Sequence, residues 1–309
     1  MSTTFERISA KAAELGWRCR AVPWTRVEYL REAIEGRFRD GLLDEKALRD
    51  YLSFIYQAPE GFEPRSIIVV AFQALPGRVN FGWRGGRVTV VIPPTYVGFM
   101  NRIRTVVGTL GDWLEPEGFR VARPRLPIKT LAVCSGLAEY GRNNVCYVEG
   151  LGSYLQLAVA ASDMPCDSDP WREPKALDRC AACGVCGRMC PTGAISPRRF
   201  LLHAERCLTL HNESEEDFPG WIDPAWHNSL IGCMKCQEAC PENATLAGRY
   251  DDLCFFSEIE TGLILAGTPF EKLPGEVASR IALIDFADEN YGLLRRNLQV
   301  ILDRAFTTP

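Results

Sequence analysis

Apolar positions change rhythm several times along the chain, and each rhythm predicts a different element. Phe5 to Leu15 sets apolar residues at helical spacing among Glu6, Arg7, Lys11 and Glu14, which predicts an amphipathic helix. More polar helical material is predicted from Val27 to Leu52. Ser66 to Phe72 is unbroken and β-rich, as a central strand should be. Leu75 to Trp83 contains a proline and glycines and is predicted to be a loop, and Arg87 to Ile92 a strand stopped by Pro93-Pro94. Thr95 can cap a helix running to Leu114, with Phe99, Ile103, Val106 and Leu110 at helical spacing. Phe119 to Ala122 returns as a strand, and strand, helix, strand with such linkers suggests a layered sheet domain. Ile128 to Tyr140 reads as helical, Gly141-Arg142-Asn143-Asn144 as a turn into Val145 to Val148, and Tyr154 to Ala161 as a second apolar stretch. Asp163 to Glu173 is polar and proline-punctuated, a boundary. Beyond Phe255 the period is helical, over Glu258 to Leu265, Pro274 to Ala287 and Gly292 to Ala305.

Between that boundary and the tail lie two cysteine runs. The first is Cys180-x2-Cys183-x2-Cys186-x3-Cys190-Pro191, the complete bacterial ferredoxin run, whose last cysteine ligates the neighbouring cluster. The second, Cys233-x2-Cys236-x3-Cys240-Pro241, lacks one cysteine of that pattern, and Cys207 stands upstream to replace it. These eight thiolates are the number that two 4Fe-4S clusters require. The order assigns Cys180, Cys183, Cys186 and Cys240 to one cluster and Cys190, Cys207, Cys233 and Cys236 to the other. A cubane is small enough for one tight loop to supply three thiolates, so the fourth must tie in a distant segment. Ala181, Ala182, Gly184 and Gly187 keep the first loop slim, and the proline after the last cysteine fixes the exit. Zinc does not call for a four-cysteine run ending in proline, and a disulfide framework suits small exported chains.

The organisation predicted is therefore α+β: an N-terminal α/β domain over 1–165, a double-cluster module over 166–250 and a helical tail over 251–309. At 309 residues, 47 % hydrophobic and 24 % charged, the chain can bury substantial cores. A net charge of −4 gives no encouragement to a nucleic-acid reader. No signal-like apolar segment opens the chain, and stretches such as Ile67 to Phe72 are too short for a bilayer, so a cytoplasmic location is expected. Cys19, Cys134, Cys146, Cys166 and Cys254 stand outside the clusters and read mostly as small buried hydrophobes. The three histidines lack the spacing of a mononuclear metal site. Of these, His227 is the one that could face a cofactor. Lys235, beside Cys236, either raises a cluster's potential by its charge or is solvated.

Several segments together resemble the epoxyqueuosine reductase family, which is related to the catalytic core of reductive dehalogenases. They are Ser66 to Ala71, Ser135 to Asn144, Gly152-Ser153-Tyr154, Cys180 to Thr192, Arg206-Cys207 and Gly232 to Pro241. The stretch Gly292 to Asn297 is similar to the family's helical repeat, here cut short. The resemblance implies an N-terminal corrinoid-binding-like domain, a ferredoxin-like double-cluster module, and cobalamin as a further cofactor. It places Tyr96, Gly141, Arg142, Asn143 and Ser153 near that cofactor. Glycines there let backbone amides approach, and Arg142 or Asn143 can donate hydrogen bonds. Equally, Gly141-Arg142-Asn143 reads as a plain turn and Tyr96 as a packing aromatic.

The family carries an aspartate proton donor after the last strand of this region, where Val121-Ala122-Arg123-Pro124 stands here. Its Gly-Trp is Ala138-Glu139. Because opening an epoxide needs a proton source, these departures predict a substrate other than epoxyqueuosine. Arg123 and Arg125 suggest an anionic ligand or solvated charges. The expectation is an iron-sulfur oxidoreductase passing low-potential electrons to a bound corrinoid. Its partners would be a donor such as ferredoxin or flavodoxin, and a small-molecule substrate or a corrinoid protein. The alternative is an electron-transfer or corrinoid-reducing partner protein without turnover of its own.

Overall fold

The computed structural model describes residues 3–44, 53–287 and 290–307, so the part of the predicted second helix at 45–52 lies outside the described residues. The chain is a mixed α+β fold of two compact units that interleave in sequence. One unit takes Met1–Gln73, Met100–Gly184 and Ile195–Ala204; the other takes Ala74–Phe99, Val185–Ala194 and Glu205–Pro309.

The first unit is built on an antiparallel sheet of β1 (Arg18–Pro23), β2 (Ser66–Gln73), β8 (Leu155–Ser162) and β5 (Val121–Ala122), in that spatial order. β2 and β8 are the inner strands, and all of β8 and Ser66 to Phe72 of β2 are buried. Burial on both faces is why these strands read as continuous apolar runs rather than as alternation. Ile67, Val69 and Ala71 of β2 join Leu155, Leu157 and Val159 of β8 in one core with Leu131 and Val133 of the helix Ile128–Cys134. On β2, Phe72 packs near Trp17, which also meets Trp113 of the helix Phe99–Leu114. The first helix, Thr4–Glu14, is fixed by a reciprocal capping box between Thr3 and Glu6.

The helix predicted to reach Tyr140 ends at Cys134. Gly136 adopts φ +75° and Leu137 N–H bonds back to the Ala132 carbonyl, a glycine-terminated helix end. Glu139–Tyr140 then forms β6, paired antiparallel with β7 (Cys146–Tyr147) around the turn at Gly141.

In the second unit, β4 (Gly86–Ile92), β3 (Gly77–Trp83) and β9 (Asp251–Phe256) form a sheet in that order, with β3 antiparallel to β4 and parallel to β9. The expected loop at Leu75 to Trp83 is thus a strand. Val79 and Phe81 supply its buried side, and its glycines admit a close neighbour. A Cβ on Gly77 would stand 2.3 Å from Leu253 Cδ1, and one on Gly82 2.9 Å from the Glu258 amide nitrogen. Arg84 and Gly85 both take positive φ in the two-residue hairpin turn. Thr95 caps no helix: Pro94–Tyr96 is a 3-10 turn, and the helix begins at Phe99, whose N–H donates to Asp285 Oδ2 at 2.8 Å. Phe81 and Phe256 stack at 5.2 Å, and the core continues into Ile264, Ile281, Leu294, Leu298 and Leu302 of the helices Glu258–Leu265, Gly275–Leu283 and Tyr291–Thr307. Among the described residues no helix is long and apolar enough to cross a membrane.

Candidate iron-sulfur site

The cysteine segment folds into pieces too short to be held by helix propensity. Cys180–Cys183 is a single turn ended by Gly184 at φ +63°, and Val185–Met189 is five residues long. Cys207 sits at the N-cap of Leu208–Glu213, Met234 precedes Lys235–Glu238, and Cys240 opens the 3-10 segment Pro241–Leu246.

Within the second unit Cys190, Cys207 and Cys233 come near one another. Burial pushes the Cys207 thiol up to about 11, with the neighbouring sulfurs of Cys233 and Cys190 adding to the rise. The Thr209 N–H and hydroxyl donate toward Cys207 and oppose that rise. Burial likewise raises Cys233, against hydrogen bonds from the Asn228 side chain and the Lys235 N–H. Cys190 Sγ lies 3.5 Å from Thr192 Oγ1. A hydrogen-bonding group two residues beyond the cysteine therefore recurs at Cys190, Cys207 and Cys233. Cys236 is carried by Lys235–Glu238, which packs on Val185–Met189. Such thiols ionise with difficulty alone, and a bound cation removes the difficulty by taking the place of the proton. Among the described residues no three His, Cys, Asp or Glu are gathered around a point that could hold a single metal ion. The donor set suits a cluster: the thiols of Cys190, Cys207 and Cys233 lie near one another, with hydroxyl or N–H groups of Thr192, Thr209, Asn228 and Lys235 against them.

Cys180 and Cys183 belong to the first unit, and Cys186 and Cys240 to the second. Outside the runs, Cys19, Cys134 and Cys146 are buried and Cys166 and Cys254 half-buried. Burial raises Cys134 to about 11 and Cys146 to about 12, which suits inert packing.

Tyr96 lies in the second unit, its hydroxyl bonded to Glu213 Oε1 and its ring against Gly232. Its pKa is driven up by burial, then by Glu213, Cys207 and Cys233, so the tyrosine stands beside the sulfur pocket. Gly141, Arg142, Asn143 and Ser153 lie in the first unit. Asn143 is buried, with its amide donating to Tyr147 Oη at 3.0 Å and its Oδ1 accepting from Val145 N–H, so it braces the β6–β7 turn. Ser153 is buried as well, while half-buried Arg142 reaches the Cys180 carbonyl at 3.4 Å. Glu139 pairs with Lys175 at 3.7 Å. His227 is 1 % exposed, edge-on to Phe218 at 4.5 Å.

Sequence reading missed Thr192, Thr209, Asn228 and Gly232. The repeated Cys-x-Thr offered a signal for the threonines. Gly232 precedes Cys233 at φ +65°, where a Cβ would meet the Tyr96 ring at 2.7 Å. Asn212 Nδ2 and Ser229 Oγ both donate to the Gly232 carbonyl, at 2.7 and 3.0 Å.

Comparison with known proteins adds to this picture. Residues 179–243, which contain all seven run cysteines and Cys207, match a family described as a 4Fe-4S double cluster binding domain. An epoxyqueuosine reductase of Pseudomonas aeruginosa is 34 % identical over 147 residues, covering 46 % of this chain and 39 % of that protein. The chain thus spans about two fifths of the length of the curated relatives it matches. The solved epoxyqueuosine reductase of Bacillus subtilis superposes with a TM-score of 0.65 at 18 % identity, over 96 % of this chain and 80 % of that one. Another, solved with an epoxyqueuosine-modified tRNA stem loop, gives 0.63 at 17 % over 92 % and 76 %. These structures share the fold. The sequence matches correct one expectation: the departures at Ala122 and Ala138-Glu139 predict a substrate other than epoxyqueuosine, yet the relatives matched by sequence are epoxyqueuosine reductases. Residues 179–243 thus match a 4Fe-4S double cluster binding domain, and the chain is similar to epoxyqueuosine reductases in sequence over part of its length and in fold.

Proposed function

We propose that the chain is an iron-sulfur reductase acting on epoxyqueuosine carried in a tRNA stem loop, with a corrinoid as its second cofactor. The observation that carries this reading is the set of eight cysteines within the double-cluster domain of a chain homologous to epoxyqueuosine reductases. Cys180, Cys183, Cys186 and Cys240 would hold one cluster, and Cys190, Cys207, Cys233 and Cys236 the other. Once bound, the clusters carry single electrons from a low-potential donor such as ferredoxin or flavodoxin, and the corrinoid supplies the reductive chemistry.

The residues supply the setting. Thr192, Thr209, Asn228 and Lys235 aim donors at three of the sulfurs. Arg142 offers a partly exposed cation in the loop assigned to the corrinoid, while Gly141 and Asn143 fix that loop's path and buried Ser153 is assigned to the same cofactor; Tyr96 stands beside Cys207 and Cys233. Arg123, with Arg104 and Arg125 as like-charged neighbours and its own pKa lowered mainly by burial, supports an anionic ligand such as an RNA phosphate. Each epoxide removed takes up two electrons and two protons, and its oxygen leaves as water.

The test is single-turnover reaction of the full chain, reconstituted anaerobically with iron, sulfide and cobalamin, with a stem loop bearing epoxyqueuosine. Mass spectrometry of the released nucleoside is expected to show loss of one oxygen. Clusters that reduce fully while the epoxide stays intact would overturn the enzyme reading and leave electron transfer to another protein.

A further inference from the structure

Asn228 stands between the 3-10 turn Pro224–Trp226 and Cys233, and its side-chain amide is fully engaged. Nδ2 donates to the Trp226 carbonyl at 2.9 Å and to Cys233 Sγ at 3.3 Å, while Oδ1 accepts from the Met234 N–H at 2.9 Å. These partners fix which end is nitrogen. The flipped amide would set its oxygen against a carbonyl and a sulfur, and its NH2 against an N–H donor. The backbone beside it is anchored too: Ser229 pairs with Val91 of β4, and the Leu230 N–H donates to the Val91 carbonyl at 2.8 Å. Asn297 Nδ2 holds the Leu230 carbonyl at 2.8 Å. The amide dipole is therefore held on the sulfur by a sheet edge and a helix rather than by a mobile loop.

A 4Fe-4S cluster that accepts one electron gains negative charge shared with its sulfurs, and an N–H aimed at a ligand sulfur favours the reduced form more than the oxidised one. We propose that Asn228 is a positioning residue for electron transfer, whose amide N–H raises the reduction potential of the cluster held through Cys233. This inference rests on the reading of Cys233 as a cluster ligand. The electron comes from an external low-potential one-electron donor, and no bond is made or broken.

The test is a potentiometric titration, followed by paramagnetic resonance, of the full chain and its Asn228→Asp and Asn228→Leu variants after anaerobic reconstitution with iron and sulfide. Aspartate keeps an acceptor for the Met234 N–H but has no hydrogen for the sulfur; leucine removes both. In both variants one of the two midpoints should move to lower potential, by roughly tenfold in the one-electron equilibrium, which is about 59 mV. The other midpoint should stay in place. Two fully loaded clusters with unmoved or raised midpoints would overturn the inference while leaving the cluster reading intact. Wild-type protein that binds no cluster through Cys233 would instead remove the cluster reading itself. Should the variants fail to load, wild-type protein carrying nitrogen-15 in its asparagine side-chain amides decides the matter. A pulsed-resonance coupling to one such nitrogen supports the inference, and its absence overturns it.

Discussion

Gly232 controls how the chain enters Cys233. Its φ of +65° is expensive for any residue with a Cβ, by about 1–2 kcal/mol, and the Tyr96 ring occupies the space that Cβ needs. Gly232→Ala is therefore expected to lower the melting temperature and to release iron from one cluster only, read by metal analysis beside a thermal melt. His227 makes a second prediction at this scale. Burial, followed by the charges of Arg296 and Arg304, lowers its pKa from 6.5 to about 4, and its Nδ1 has no hydrogen-bond partner. The unfolded chain therefore binds a proton that the folded one refuses between pH 6.5 and 4. The stability owed to neutral His227 is complete above pH 6.5 and declines as pH falls toward 4, at no more than about 1.4 kcal/mol per pH unit. Replacing His227 by Gln should flatten the difference in denaturation midpoint between pH 7 and pH 5. A slope identical to wild type would show that the histidine does not titrate this way.

At the scale of elements, glycines that look alike in sequence do opposite things. Gly82 on β3 faces the backbone of Ser257 and Glu258 at 2.9 to 3.5 Å, so Gly82→Ala must push the start of the helix Glu258–Leu265 away. Overpacking of this kind costs about 1–3 kcal/mol. Gly108, inside the helix Phe99–Leu114, has nothing within 4 Å of its would-be Cβ, and Gly108→Ala should stabilise by up to about 1 kcal/mol. Thermal melts of the two variants should move in opposite directions. The same contrast explains what the sequence made legible. β2 and β8 were visible because burial on both faces leaves an unbroken apolar run, and the helix from Glu258 because its apolar residues recur at helical period; the Ser257–Glu260 capping box that fixes its start was not read from the sequence. β3 was hidden because Gly77 and Gly82 read as breakers, although they serve close approach. β9 was hidden because its register comes from a parallel partner far upstream. The cysteines announced their chemistry by spacing alone, whereas the Asn228 amide on Cys233 leaves no pattern to read.

On the scale of the whole chain, stability is drawn from two different sources. The sheet of β1, β2, β8 and β5 rests on an apolar core in which Ile67 to Ala71 are wholly buried. The stretch from Cys180 to Cys240 instead consists of helices of four to six residues with few buried apolar side chains, among them Ala194, Leu208, Leu230 and Met234. Helices of that length do not persist in water unaided, and on the proposed reading bound clusters would supply much of what an apolar core would otherwise contribute. Oxidation followed by chelation of the iron should therefore act unevenly. Backbone amides of 180–190 and 233–240 are expected to lose protection from hydrogen exchange by at least about tenfold, equivalent to about 1.4 kcal/mol of local opening. Amides of β2 and β8 should keep theirs, because their donors sit in a sheet whose core contains no cysteine of the two runs. Uniform loss across both regions would mean that metal supports the sheet as well as the cysteine segment. Unchanged protection in the cysteine segment would mean that its short helices stand without metal, against the length argument that predicts their collapse.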